Sequence, residues 1–212
     1  MSVFTELSQL IFPSRCFGCR VLGPSICSAC RRDWHPHYYK TKFDALTVHS
    51  ALLYSPTASK IILAAKESSL KGADDLIIEA IIHTLNKAIP DTTFFRLVPV
   101  PSSKVSQRRR GRSFVVDLVS QISQRTGIPM IDCLQVSRKV LDQSGLHRDE
   151  RATNLAGAFA LSSRVRGELI LVDDVVTTGA TLREAARAVN SQGFQAVGSV
   201  TAITACVAQP LR

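Results

Sequence analysis

Residues 168–182 read ELILVDDVVTTGATL, and the order of parts in that stretch decides the fold. Residues 169–172 form an unbroken apolar run, the pattern of a strand buried on both faces, as in parallel sheets. The run delivers Asp173 and Asp174 at its C-terminal edge, where ligands of open α/β sheets bind. Thr177, Thr178, Gly179, Ala180 and Thr181 follow and lead into a helix over 180–190. Gly179 lets the backbone turn tightly and come close to an anion. Free amides at the helix start, with three threonine hydroxyls, make an anion cradle. Two carboxylates beside such a cradle would repel a phosphate unless they served another purpose. Paired acceptors suit the vicinal hydroxyls of a ribose, and a divalent cation would screen the charge. The plainer alternative, a Thr-capped helix with acids in the preceding loop, accounts for fewer of these parts.

Working outward, periodicity predicts strands over 49–54, 96–100, 134–136, 167–173 and 196–203. Helices are expected over 74–89, 113–126 and 180–190, the first from Ile77, Ile81, Leu85 and Ala88 at helical spacing behind Asp74 and Asp75. Strands alternating with helices imply an α/β domain with a mostly parallel sheet covered on both faces. The stretch 139–153, KVLDQSGLHRDERAT, holds six charged residues and no periodicity, the character of a mobile loop serving as a lid. Residues 1–12 form a short amphipathic stretch carrying Phe4, Leu7, Ile11 and Phe12, ended by Pro13.

Four of the six cysteines stand near the N-terminus as Cys16-x-x-Cys19 and Cys27-x-x-Cys30. Each pair forms a knuckle that aims two thiolates at one point, and two knuckles complete a tetrahedral site. Four thiolates leave no position for water, so the metal is expected to be structural. Zinc is the first choice, and an iron–sulfur cluster or metal-free thiols are the alternatives. The segment between has no periodicity to build a core alone. Cys133 and Cys206 stand apart in apolar surroundings and read as ordinary core residues.

With 212 residues, 45% apolar and 20% charged, the chain has material for one medium α/β domain and a small appendage. No apolar run approaches the roughly 20 residues that span a bilayer, so no membrane partner is expected. The first residues lack the basic start of a signal peptide and carry Glu6, which gives a cytoplasmic expectation and reduced thiols. The formal charge is +9, and basic residues gather in 104–112 and 138–151, the second run interleaved with acids, a balance that suits phosphorylated metabolites or nucleic acid, or simply a solvated basic surface.

Residues 170–181 resemble the signature of the type I phosphoribosyltransferases. The resemblance implies that Asp173 and Asp174 bind the ribose hydroxyls of phosphoribosyl pyrophosphate, with Mg, while Thr177, Thr178, Gly179, Ala180 and Thr181 hold its 5-phosphate. VPVPSSK (98–104) resembles the strand and pyrophosphate loop of that fold, which assigns Ser102, Ser103 and Lys104 to pyrophosphate, with the 108–112 basic run beside them. The loop 139–153 takes the place of the family's flexible lid. Hypoxanthine-type members carry an Asp where this chain has Thr177, which argues against purine salvage of that type. A four-cysteine knuckle ahead of this signature resembles the ComF/GntX family, associated with DNA uptake in competence. FPSRCFGC, Lys66, VPVPSS, RRRG, Gln143, residues 151–154 and LVDDVVTTGATL occur in that family's order. Better-known members continue their basic element as Arg-Gly-Phe-Asn-Gln, whereas this chain has Arg110, Gly111, Arg112, Ser113 and Phe114.

The expected organisation is therefore a helix and zinc module over 1–40 and a phosphoribosyltransferase-like domain over 41–212. The first functional expectation is phosphoribosyl transfer to an acceptor the sequence does not name, with no side chain identifying itself as catalytic. The second is a non-enzymatic DNA-uptake protein that binds single-stranded DNA or a helicase partner through the knuckle and basic patch. Few aromatic residues accompany the basic runs, which weakens the second. A homo-oligomer fits either one.

Overall fold

A computed structural model of the chain describes residues 14–68, 70–137, 155–191 and 197–208. The N-terminal amphipathic stretch and the lid expected over 139–153 lie outside the described residues. The elements in chain order are α1 (Ser28–Asp33), β1 (Tyr39–Phe43), β2 (Leu46–Leu53), α2 (Pro56–Ser68), α3 (Lys71–Ala88) and β3 (Phe95–Pro99). They continue with α4 (Lys104–Arg110), α5 (Phe114–Thr126), β4 (Leu134–Val136), β5 (Phe159–Leu161), β6 (Gly167–Val176), α6 (Ala180–Asn190) and β7 (Val197–Val207).

Five strands form one sheet in the order β1-β2-β7-β6-β3, and β4 pairs with β5 in a separate ribbon. β2, β7, β6 and β3 run parallel, and only the edge strand β1 is antiparallel to its neighbour. The predicted α/β class with a mostly parallel sheet is the one observed. Alternation along β6 feeds two cores. Ile170 and Val172 join a core built on α2, α3 and α5, while Leu169 and Leu171 join one built on α6 and the β4–β5 ribbon.

Differences from the sequence expectation have local causes. β6 runs to Val176 rather than stopping at Asp173, because the ladder with β7 continues through Val175↔Cys206 and Val176↔Val207. The two acids therefore sit within the strand. α3 starts at Lys71, which places Asp74 in its first turn and buries it. Helix α2 was not anticipated from the sequence, although Pro56 opens it and Ala58, Ile61, Ile62 and Ala65 fall at helical spacing on its buried face.

The cysteine segment is docked on this framework. Phe17 and Trp34 belong to the core shared with α2 and α3, Trp34 Nε1 donates to the Leu76 carbonyl at 3.3 Å, and Thr57 donates to Asp33. These contacts supply the apolar cover that the segment cannot make for itself.

Candidate functional site

The sheet brings the two sequence-predicted loops side by side. β3 pairs with β6 in the register Pro99↔Val172, and the Val100 amide donates to the Val172 carbonyl at 3.0 Å. Residues 100–103 thus leave β3 beside Asp173. Ser103 caps the short helix α4, accepting from the Ser106 amide at 3.2 Å, and Gln107 donates to the Ser102 carbonyl. Lys104 opens α4.

Asp173 is half-buried and Asp174 is buried. Burial, and then the adjacent Asp174, push the Asp173 carboxyl well above the ordinary carboxylate range, with Lys66 opposing them. Asp173 Oδ1 accepts from the Asp174 amide at 2.8 Å. The Nζ of Lys66, from the last turn of α2, lies 2.5 Å from Asp174 Oδ2. Burial works against the charged ammonium, but Asp174 and then Asp173 more than offset it and raise the Lys66 pKa. Asp174 Oδ2 is buried, and the Lys66 ammonium is its partner. Two adjacent carboxylates with a single ammonium between them form an oxygen-rich acceptor set, the chemistry that suits a ligand's hydroxyls or an oxygen-seeking cation.

Three residues beyond the acids the chain turns through 177–179 into α6. Gly179, at φ +73°, is the N-cap, and the Arg183 amide closes the first helical bond onto its carbonyl at 2.9 Å. Helix geometry leaves the amides of Ala180, Thr181 and Leu182 without intrahelical partners. Thr178 Oγ1 lies 3.4 Å from the Ala180 amide. Thr177 is exposed, and Thr178 and Thr181 are half-buried. Phe43, at the end of β1, packs on Gly179: a Cβ there would lie 2.4 Å from its ring. The neighbouring Asp44 pairs with Arg183 at 2.7 Å, so the β1–β2 turn is fastened over the start of α6.

The basic run after β3 is largely committed. Arg109 and Arg110 pair with Glu67 at 3.0 and 3.1 Å. Arg112 grips Asp74 through both terminal nitrogens at 2.8 and 2.9 Å, donates to the Ala65 carbonyl, and stacks on Phe114 with its guanidinium carbon 4.9 Å from the ring centroid. Arg112 thereby ties α2, α3 and α5 together. Arg112→Ala is expected to destabilise the fold by about 3 kcal/mol, since it strands buried Asp74 without a partner. Urea unfolding measures this, and a midpoint unchanged from the parent would refute the structural role.

The second cluster is Cys16, Cys19, Cys27 and Cys30, whose sulfurs all lie within 4.8 Å of one another. The Cys19–Cys27 sulfur separation is 3.7 Å, against about 3.8 Å for the edge of a tetrahedron with metal–sulfur bonds near 2.3 Å. Burial alone would raise the Cys16 thiol, but amides of Cys19, Cys27 and Gly18 lower it to about 6. Cys30 is pushed up to about 12 by burial and by the other sulfurs. A Cβ on Gly18 would come 2.7 Å from Cys30 Sγ, so a side chain there would force the knuckle open. The donor set and spacing fit a four-thiolate structural metal such as zinc. The sequence pointed to the four clustered cysteines and to both loops, but not to the pairing of Asp174 with Lys66 or the covering of Gly179 by Phe43.

The family model of the phosphoribosyl transferase domain matches residues 106–209. Competence protein F of Haemophilus influenzae is 31% identical over 106 residues, covering 48% of this chain and 46% of that protein, so the chain matches about half the length of this curated relative. Among solved structures, adenine phosphoribosyltransferase from Saccharomyces cerevisiae aligns over 84% of this chain and 89% of its own at 13% identity and a TM-score of 0.42. Orotate phosphoribosyltransferase from Aeropyrum pernix aligns over 82% and 77% at 10% identity and a TM-score of 0.39. Residues 106–209 thus resemble a phosphoribosyl transferase domain, in a chain that is similar to Competence protein F over about half its length and carries a four-cysteine cluster ahead of that stretch.

Proposed function

We propose that the domain binds phosphoribosyl pyrophosphate with Mg and transfers the phosphoribosyl group to an acceptor. One observation carries this reading: an acid pair on a central parallel strand, beside the loop of residues 100–103 and six residues ahead of the start of α6. Each part of the ligand has a matching group. We assign Asp173 and Asp174 to the ribose diol, residues 177–181 to the 5-phosphate, and Ser102, Ser103 and Lys104 to the pyrophosphate. Mg would be held by Asp173 together with ligand oxygens, and it would supply charge neutralisation for the departing pyrophosphate. The protein's share is positioning and electrostatic stabilisation. Calorimetric titration with phosphoribosyl pyrophosphate and Mg tests the reading. The parent is expected to bind, and Asp173→Asn with Asp174→Asn to lose at least about tenfold in affinity. Equal binding by parent and double variant would overturn it. Pyrophosphate release with candidate nucleobases then separates a transferase from a binding protein.

A second reading has its own support. Exposed Arg15, Arg20, Arg31 and Arg32 flank the cysteines along the chain, and His35, His37 and Tyr39, a few residues further on, form a chain of ring contacts at 5.2 and 6.4 Å. The aromatic groups missing from the basic runs are found here, as a surface on which single-stranded DNA would stack. Binding of an oligonucleotide that weakens steeply with salt, and that Arg31→Ala with Arg32→Ala reduces, would support it. Salt-independent or absent binding would remove it.

A further inference from the structure

Lys66 meets the acid pair from a different element than any residue of the two loops. It sits in the last turn of α2, and its ammonium lies 2.5 Å from Asp174 Oδ2 and 5.9 Å from the centroid of the Phe114 ring. The cations around it have other partners. Arg109 and Arg110 pair with Glu67, and Arg112 pairs with Asp74. Among the described residues, Lys66 is the only cation paired with Asp174.

We propose that Lys66 is the resident counter-ion of this site, a positioning residue that holds Asp174 and sets how much divalent cation the site requires. The inference rests on reading 173–181 as the sugar-phosphate site. Two carboxylates next to a phosphate cradle oppose the ligand through their own charge, and in a buried setting that opposition is strong. Lys66 cancels one of the two charges before any ligand arrives. Without it the acids would draw a divalent ion to themselves and resist a phosphorylated sugar until that ion came. With it, the ion is left to serve the pyrophosphate.

Lys66→Met tests this, with Lys66→Arg as the charge-retaining comparison. Mn²⁺, a paramagnetic stand-in for Mg, is titrated without sugar phosphate and followed by water-proton relaxation. Phosphoribosyl pyrophosphate is titrated separately in EDTA and in saturating Mg. Lys66→Met is expected to bind Mn²⁺ about tenfold more tightly than the parent, to lose about tenfold in sugar-phosphate affinity in EDTA, and to recover it in saturating Mg. Lys66→Arg is expected to stay within about threefold of the parent in each case. If Lys66→Met fails to fold, Lys66→Arg still decides: a tenfold loss in EDTA despite its retained charge overturns the proposal. Mn²⁺ affinity and Mg dependence unchanged in folded Lys66→Met would also overturn it, leaving a purely structural ion pair. A parent that binds no sugar phosphate at any Mg concentration would instead defeat the reading of the site. The Mn²⁺ titration would then still report on Lys66 as counter-ion.

Discussion

Stripping metal from the four-cysteine cluster is expected to release Trp34 from the core and shift its fluorescence to the red. Trp34 is the only tryptophan in the sequence, so the signal has one source. It is buried, hydrogen-bonded to Leu76, and only four residues beyond Cys30. Few side chains of residues 14–34 are buried, chiefly Cys16, Phe17, Cys30 and Trp34, so little but the metal would hold the knuckle closed. Four-thiolate zinc is worth about 10–16 kcal/mol in isolated finger peptides, far more than the docking of two aromatic side chains. Loss of metal should therefore loosen the contacts of α1 with α2 and α3 and lower the melting temperature. Binding should also release protons, because thiolates are the ligands and burial with the neighbouring sulfurs pushes the Cys30 thiol up. Affinity should then fall as the pH is lowered, since protons compete for the sulfurs. Elemental analysis, Trp34 emission on chelation and proton release on adding zinc check the three parts. Protein that carries neither zinc nor iron, with Trp34 emission indifferent to added zinc, would show the cluster to be thiols alone. Cys27→Ser with unchanged metal content would defeat the ligand assignment.

What could be read from the sequence was what lies close together along it. The apolar run 169–172, the acids behind it, and the Thr-Gly turn into α6 are contiguous, so their order alone specified strand, turn and helix. The cysteine spacing was equally local. The missing parts are those that tertiary contacts supply. Lys66 lies more than a hundred positions from Asp174, on a helix whose buried face is built partly from Ala58, Ala64 and Ala65, residues that give a weak periodic signal. The edge strand β1 alternates between exposed and half-exposed positions, and nothing in YKTKF announces that Phe43 will cover Gly179. Arg112 looked like part of a basic patch open to ligands, yet Asp74 and Phe114 occupy it in the fold.

Gly179→Val is expected to abolish sugar-phosphate binding and to destabilise the protein, for two separable reasons. The first is local: φ is +73°, a conformation costing a β-branched residue about 1–2 kcal/mol or more, so the turn that presents the amides of 180–182 would open. The second is a collision, because a Cβ would sit 2.4 Å from the Phe43 ring and force the β1–β2 turn away from α6. Loss of binding in the single variant would therefore not by itself locate the phosphate. Phe43→Ala removes the collision and leaves the backbone strain, so the double variant divides the two effects. Gly179→Val in the Phe43→Ala background should regain part of the lost stability in a urea melt and still fail to bind phosphoribosyl pyrophosphate. Phe43→Ala alone should bind it at least as well as the parent, since the glycine and its amides remain in place. Recovery of binding in the double variant would mean that displacement of the β1–β2 turn, rather than the backbone at Gly179, had caused the loss. The assignment of 177–181 as the 5-phosphate cradle would then fall.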